Sequence, residues 1–234
     1  MSHVDTFAFQ IYPYIALAVF FIGSWARFDR AMFTWRAGSS QLLSDKGMRW
    51  GSNLFHIGIL AILAGHLVGL LTPHWVYEPF ITVPQKQLLA MVVGGAFGAV
   101  CLVGISILTL RRLTNPRVRA TGTFADTAIL LLLFAQLLLG LYTIVESSKH
   151  MDGGVMMALA EWAQRIVTFR GGAAEFVAGV SWVYKAHIFL GLTLFLLTPF
   201  TRLVHVWSIP LSYLWRPYQV VRRRQPPLRY GPRA

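Results

Sequence analysis

Two apolar stretches of this 234-residue sequence each contain two histidines, although ionisable side chains are costly inside a bilayer and mark function there. His56 and His66 lie in the first stretch, and His187 and His205 lie in the second. Neutral imidazole is a common axial ligand of haem iron. Two histidines on each of two helices therefore indicate two bound b-type haems and electron transfer.

Depth along the helices predicts how the histidines pair. If the two stretches are antiparallel helices, His56 lies level with His205 and His66 with His187. With a rise of about 1.5 Å per residue, the first two histidines are about 15 Å apart along their helix and the last two about 27 Å. We expect helix tilt to absorb part of this difference. The two haems would then be stacked across the membrane.

His74 is a rival to His66, because it follows His56 by the same eighteen residues that separate His187 from His205. Thr72-Pro73 precedes it, and proline disfavours helix at the residue before it, which predicts that His74 lies in a loop. Spacing alone leaves the choice between His66 and His74 open.

A simpler interpretation is that each intramembrane histidine hydrogen-bonds to a neighbouring helix. Two pairs at matching depths are harder to explain in this way. Glycines near the histidines would let a porphyrin approach the backbone, although such residues also serve helix packing. These glycines are Gly58, Gly65, Gly69 and Gly191.

The elements that must position the histidines are helices that cross a membrane. A span takes about 20 mostly apolar residues, and the candidate spans are Phe7 to Trp25, Asn53 to Leu71, Gln87 to Leu110, Thr127 to Val145 and Gly179 to His205. With 56% hydrophobic and 13% charged residues, the sequence predicts an all-α integral membrane protein built as one five-helix transmembrane bundle. We expect this domain to cover residues 1–225 and a short basic tail to cover 226–234.

A further helix is predicted between the fourth and fifth spans. Val155, Leu159, Trp162 and Ile166 recur there at helical spacing. This pattern is typical of a short amphipathic helix, which we expect to lie on the outer membrane surface.

The charge distribution predicts the orientation of the bundle. Lysine and arginine outnumber aspartate and glutamate by 21 to 9, but they stand in short blocks between apolar runs, which indicates membrane topology and no nucleic-acid partner. Sixteen of the 21 fall in one set of loops, and we assign that set to the cytoplasm. The N-terminus is then outside and the C-terminus cytoplasmic. A single cysteine, Cys101, excludes an internal disulfide and a cysteine cluster within this chain.

Several strings of residues are distinctive: Ile11-Tyr12-Pro13-Tyr14, Ser52 to Gly58, Leu71 to Trp75, Pro116 to Thr121, His150 to Gly153, and Arg202 to Ser208. Through them the chain, from about Phe9 to Val221, resembles the gamma subunit of respiratory nitrate reductase. That subunit is the membrane cytochrome b that anchors the catalytic and iron–sulfur subunits of the enzyme.

The resemblance implies a multi-pass protein of the bacterial inner membrane. It also implies two cytoplasmic partners, an iron–sulfur beta subunit and a molybdenum-containing alpha subunit. In the family, residues matching His56 and His205 hold the cytoplasmic-side haem, and those matching His66 and His187 hold the outer haem, which demotes His74.

The resemblance further implies a quinol site next to the outer haem, in which Lys86 takes part. If the resemblance is set aside, the sequence favours Lys86 as an ordinary interfacial anchor of the third span. Gly65 would give the quinol ring room. Quinol oxidised near the periplasmic face would send electrons through both haems to the cytoplasmic partners and so contribute to proton-motive force.

Two other functions stay open from the sequence. The same kind of cytochrome could feed a different reductase, and a haem-free anchor or small transporter could use its histidines for protons or a metal. Nitrate itself would be reduced on a partner, since this chain has no molybdenum or nucleotide motif. The basic segments Arg27 to Arg49 and Arg111 to Arg119 are the expected docking surface, while the tail is expected to contact membrane lipid.

Overall fold

The computed structural model describes residues 2–35, 38, 40 and 47–208, which are largely helical. In chain order the helices are α1 (His3–Thr34), α2 (Met48–Leu71), α3 (His74–Tyr77), α4 (Val83–Thr114), α5 (Pro116–Thr121), α6 (Phe124–Ser147), α7 (Gly154–Val167), α8 (Ala173–Ala178) and α9 (Trp182–Leu197). Two 3₁₀ segments, Thr198–Phe200 and Arg202–Ser208, follow α9.

The prediction of five membrane spans is confirmed within the described residues. Helices α1, α2, α4, α6 and α9, the last extended by its 3₁₀ turn to Phe200, are long and apolar enough to cross a membrane. Capping boxes of Thr82 with Gln85 and of Thr123 with Asp126 begin α4 and α6. The direction in which the termini face stays a prediction. The predicted domain boundary at 225 and the tail at 226–234 lie outside the described residues.

The predicted continuous helix from Gly179 to His205 is wrong. α9 ends at Leu197, and Thr201 is extended with φ −124° and ψ −178°. Pro199 contributes to this ending, because proline has no backbone N–H to continue the ladder and its ring clashes with the preceding turn. His205 therefore lies on the separate 3₁₀ segment Arg202–Ser208.

Helices α2 and α4 approach each other through small residues. A Cβ built on Gly58 would lie only 2.5 Å from the Cβ of Cys101, and one on Gly104 would overlap the backbone of Phe55. Glycines at both places let the two backbones come close. The imidazoles of α2, at His56 and His66, are exposed and lie outside this tight contact.

The predicted amphipathic helix is α7, but its apolar face packs on protein. Trp162 and Ile166 are buried in a cluster with residues of α1, α8 and α9: Ala8, Phe9, Ala16, Ala173, Ala174, Val177 and Leu192. The indole N–H of Trp162 donates to the Phe9 carbonyl at 2.9 Å, within the π-helical turn Phe7–Ile11. α7 is therefore a structural part of the bundle, and its buried face does not lie on lipid.

Candidate cofactor site

Two pairs of imidazoles lie close together, with one ring of each pair on α2 and the other on α9 or on the segment Arg202–Ser208. The ring centres of His56 and His205 are 6.3 Å apart, and those of His66 and His187 are 6.1 Å apart. These are the pairs that depth along the helices predicts. The break at Thr201 explains why they form although a continuous helix would place His205 about 27 Å from His187.

The spacing of each pair fits one iron held between two imidazoles. An iron–nitrogen bond of about 2 Å on each side, plus about 1 Å from nitrogen to ring centre, separates the ring centres by about 6 Å. No group of three or more potential metal-ligating side chains occurs among the described residues. A centre with two protein ligands, in which a porphyrin supplies the others, suits this donor set.

Three of the imidazoles have a fixed tautomer. The Nδ1 of His56 lies 2.7 Å from the Ser52 carbonyl oxygen, that of His66 lies 2.8 Å from the Ile62 oxygen, and that of His205 lies 2.6 Å from the Arg202 oxygen. A carbonyl oxygen only accepts, so each Nδ1 carries the proton. Each Nε2 is then left as a lone-pair donor for a metal.

His187 differs from the other three. Its Nδ1 is buried without a hydrogen-bond partner, and so is the side-chain oxygen of Gln136 on α6. The Gln136 amide nitrogen lies 3.1 Å from the His187 carbonyl oxygen, to which it donates, and 3.5 Å from the ring nitrogen Nε2. Gly140, one turn after Gln136, leaves room for the ring, since a Cβ there would lie 2.9 Å from the His187 Cε1.

Arg27 of α1 holds the segment that carries His205. Its guanidinium donates to the Pro199 carbonyl at 2.7 Å and to the Thr201 carbonyl at 2.8 Å. Both carbonyls lie where the helix ends. A second nitrogen donates to the Thr34 carbonyl at 2.9 Å. The Trp207 indole also donates to Ser24 of α1 at 3.1 Å. The His205 segment is thus tied to α1.

An ion cluster lies at the same end of the bundle. Asp126 at the start of α6 is 3.3 Å from Arg112 of α4 and 4.0 Å from Arg202. Burial lowers the pKa of Arg202, while the Asp126 carboxylate opposes this shift. The backbone carbonyl of Arg202 accepts from His205, so the cluster supports the residue that orients this ring.

The glycines near the histidines divide into two groups. Nothing lies within 4 Å of a Cβ built on Gly65 or Gly69, so this face of α2 is open. Gly58 instead packs against Cys101, and Gly191 lies against the Gln136 amide. Only the first group leaves room for a large planar ring.

Lys86 is buried in the first turn of α4, with 9% of its surface exposed. Its ammonium lies over the ring of Tyr77, 3.7 Å from the ring centre, as a cation–π contact. The Tyr77 hydroxyl donates to the Met157 sulfur at 3.0 Å. Burial raises the pKa of Tyr77, so its phenol stays neutral at physiological pH. No atom of Lys86 lies within 4 Å of a Cβ built on Gly65.

His74 lies outside the second span, as Thr72-Pro73 predicts. α2 ends at Leu71, Thr72 is extended, and His74 begins the short helix α3. Its Nδ1 is 3.3 Å from the Glu78 carboxylate. The structure pairs His66, and not His74, with the ring of His187.

The sequence matches a known protein family over almost its whole length. Residues 5–224 match the model of the nitrate reductase gamma subunit. The chain belongs to this family. It is 56% identical to the respiratory nitrate reductase 1 gamma chain and 55% identical to the respiratory nitrate reductase 2 gamma chain of Escherichia coli (strain K12), and each match covers 96% of this chain and all of the relative. It is 38% identical to the nitrate reductase gamma chain of Bacillus subtilis (strain 168), over 92% of this chain and 96% of the relative.

The resemblance inferred from the sequence is confirmed by this membership of the nitrate reductase gamma family. The chain is therefore one subunit of an oxidoreductase, and with five apolar helices it is a multi-pass inner-membrane protein. Haem ligation and quinol chemistry stay predictions for this gamma-family chain.

Two residues at the histidine pairs were missed by sequence reasoning. Gln136 is a polar side chain within the apolar fourth span, and the rule that singled out the histidines applies to it as well. Arg27 resembles any other loop arginine, and only its tertiary contacts with Pro199 and Thr201 reveal its role in this gamma-family chain.

Proposed function

We propose that this chain is the membrane cytochrome b subunit of a respiratory nitrate reductase, which oxidises quinol and delivers the electrons to iron–sulfur and molybdenum-containing partner subunits. The observation that carries the proposal is the pairing of imidazoles at 6.1 and 6.3 Å. Family membership supports the nitrate reductase assignment over a different reductase.

The histidine pairs would hold two b haems, His56 with His205 and His66 with His187. When bound, a haem supplies a reversible one-electron iron couple. The chain's own task is to orient the ring nitrogens. The carbonyls of Ser52, Ile62 and Arg202 fix three Nδ1–H groups, which keeps each Nε2 available and strengthens it as a ligand.

The haem-free alternatives fit these contacts less well. Histidines that merely link helices would donate to, or accept from, a neighbouring helix. Here three of the four donate from Nδ1 within their own segment, which leaves each Nε2 free to bind a metal. Open space beside Gly65 and Gly69 supports a bound planar ring at this face.

Lys86 is the residue we assign to quinol. A buried ammonium at a helix start is a strong donor to a phenolic oxygen and would stabilise the anion left when a proton departs. Its burial over Tyr77 argues against a headgroup anchor, because an anchoring lysine extends its amine to water. Gly65, next to His66, would leave space for the quinol ring.

The positions of the charges support an orientation of the bundle, from which we infer the direction of electron flow. Arg27, Arg112 and Arg202 gather at the end of the bundle that holds His205, and we assign this end to the cytoplasm by the positive-inside rule. The N-terminus then faces the periplasm. Proton release at the outer face with electrons moving inward would contribute to proton-motive force, each charge being worth about 2.3 kcal/mol per 100 mV.

The test is the haem content of the purified full-length chain, produced with its partner subunits and with haem supplied. A pyridine haemochrome assay and a reduced-minus-oxidised spectrum count and classify the haems. Two b haems per chain, reduced by added quinol, are expected. A protein without haem would overturn the proposal in favour of a haem-free anchor or transporter.

A further inference from the structure

Gln136 of α6 and His187 of α9 form a contact that differs from those of the other three imidazoles. In His56, His66 and His205 a backbone carbonyl of the same segment accepts the Nδ1–H. The Nδ1 of His187 is buried without a partner, and so is the Oε1 of Gln136. A buried polar atom without a hydrogen bond costs free energy, and this contact contains two of them.

The two side chains already touch. The Gln136 amide nitrogen donates to the backbone carbonyl of His187 at 3.1 Å and lies 3.5 Å from its ring Nε2. Glycines make room on both sides, because a Cβ on Gly191 would lie 3.1 Å from the Gln136 nitrogen and one on Gly140 would lie 2.9 Å from the His187 Cε1. The contact therefore depends on the absence of side chains at both glycines.

We propose that Gln136 is a positioning residue for His187, and that its side-chain oxygen accepts the Nδ1–H of this imidazole when iron occupies Nε2. This inference rests on the proposed haem-binding function. Metal binding at Nε2 would use the lone pair that the Gln136 amide nitrogen approaches at 3.5 Å, and it would leave Nδ1–H as the donor to be satisfied. The Gln136 oxygen, on the side chain whose nitrogen approaches this ring, is a buried acceptor without a partner.

The consequence is a specific effect on one haem. A hydrogen bond accepted from Nδ1–H makes the imidazole a stronger electron donor and stabilises the oxidised iron. A carboxylate at position 136 would do so more strongly than an amide, and an apolar side chain would not do so at all. The two substitutions should therefore move the potential of the outer haem in opposite directions.

The experiment is an anaerobic optical redox titration of both haems in the full-length chain with its partner subunits. Gln136→Met keeps the side-chain length and removes the acceptor, and Gln136→Glu keeps an acceptor. With Met, the ratio of reduced to oxidised outer haem at the wild-type midpoint should rise about three- to tenfold, which is about 30 to 60 mV for a one-electron couple. With Glu, the midpoint should move the other way.

Two controls isolate the effect. The inner haem in the same sample should keep its midpoint, and Leu133→Met, a repacking change on the same helix, should leave both midpoints unchanged. Equal shifts with Met and Glu, no shift with either, a shift of both haems, or loss of the outer haem from both variants would overturn the role of Gln136. A wild-type chain without haem would overturn the proposed function itself, and this inference with it.

Discussion

Arg27 of the first span donates to the carbonyl of Thr201 at 2.8 Å, across the break that ends the fifth span. Because Thr201 directly precedes the segment that carries His205, this contact sets the position of one imidazole from a distant part of the chain. We expect Arg27→Ala to weaken retention of the inner haem about 10- to 100-fold, a typical cost of losing support behind a metal ligand.

The measurement is the haem content and spectrum of membranes carrying Arg27→Ala. Arg30→Ala on the same helix is the matched control, because Arg30 is exposed. The outer haem should remain in both variants. Equal loss of both haems with Arg27→Ala would indicate general misfolding and would contradict the specific role.

The histidine pairs predict which haems are lost together. Replacing His66 or His187 by alanine should remove the same, outer haem, and replacing His56 or His205 should remove the inner haem. Each ligand supplies half of the protein's bonds to one iron, so losing either is enough. Spectra and potentials of the remaining haem identify which one is absent. If His66→Ala and His187→Ala remove different haems, the pairing is wrong.

Lys86 is predicted to act on quinol without holding haem. Lys86→Ala should keep both haems but raise the quinol concentration for half-maximal haem reduction about tenfold, since a charged hydrogen bond is worth about 1.5 kcal/mol or more. Lys149→Ala is the matched control, because Lys149 is an exposed lysine paired with Glu146 at 2.7 Å. An unchanged quinol dependence in Lys86→Ala would contradict the assignment.

Tyr77 supports the Lys86 ammonium, which gives a related prediction. Tyr77→Leu removes the ring that lies 3.7 Å from this cation, whereas Tyr77→Phe keeps it. A cation–π contact is worth about 0.5–2 kcal/mol, so Leu should weaken quinol-dependent reduction a few-fold more than Phe. Stopped-flow reduction at limiting quinol measures this difference. Equal effects of Leu and Phe would exclude the ring contact as the cause.

The close packing of α2 on α4 predicts a stability difference between two glycines. Gly58→Ala would push a methyl group against Cys101 and should cost about 1–3 kcal/mol. Gly94→Ala is the control, because nothing lies within 4 Å of its built Cβ and alanine favours helix by about 1 kcal/mol. Unfolding of the purified protein by a denaturing detergent measures both. Equal stability of the two variants would contradict the proposed contact.

The parts of the fold that could be predicted depend on local rules. Apolar runs of the required length gave the five spans, and the proline rule at Thr72-Pro73 placed His74 outside α2. Depth along antiparallel helices predicted a partner for His187 on α2, but spacing left His66 and His74 as rivals. The proline rule and the family resemblance were needed to favour His66.

The parts that could not be predicted depend on contacts between distant residues. Pro199 signals a helix end as Pro73 does, but a proline within an apolar run is also tolerated inside many membrane helices. The contacts of Arg27 with the carbonyls of Pro199 and Thr201 show that the helix ends at this proline. The apolar face of α7 could equally have covered lipid, and only its docking on α1 and α8 shows otherwise.

The placement of one ring of each pair on α2 and the other near the end of the described chain has a consequence for synthesis. Neither pair is complete when the ribosome has made the first four spans. A nascent chain ending at Leu197 would contain both members of the outer pair, His66 and His187, but only one of the inner pair. The two histidine pairs would therefore become able to bind haem one after the other, the outer pair first. Ribosome-stalled chains of graded length could resolve this order.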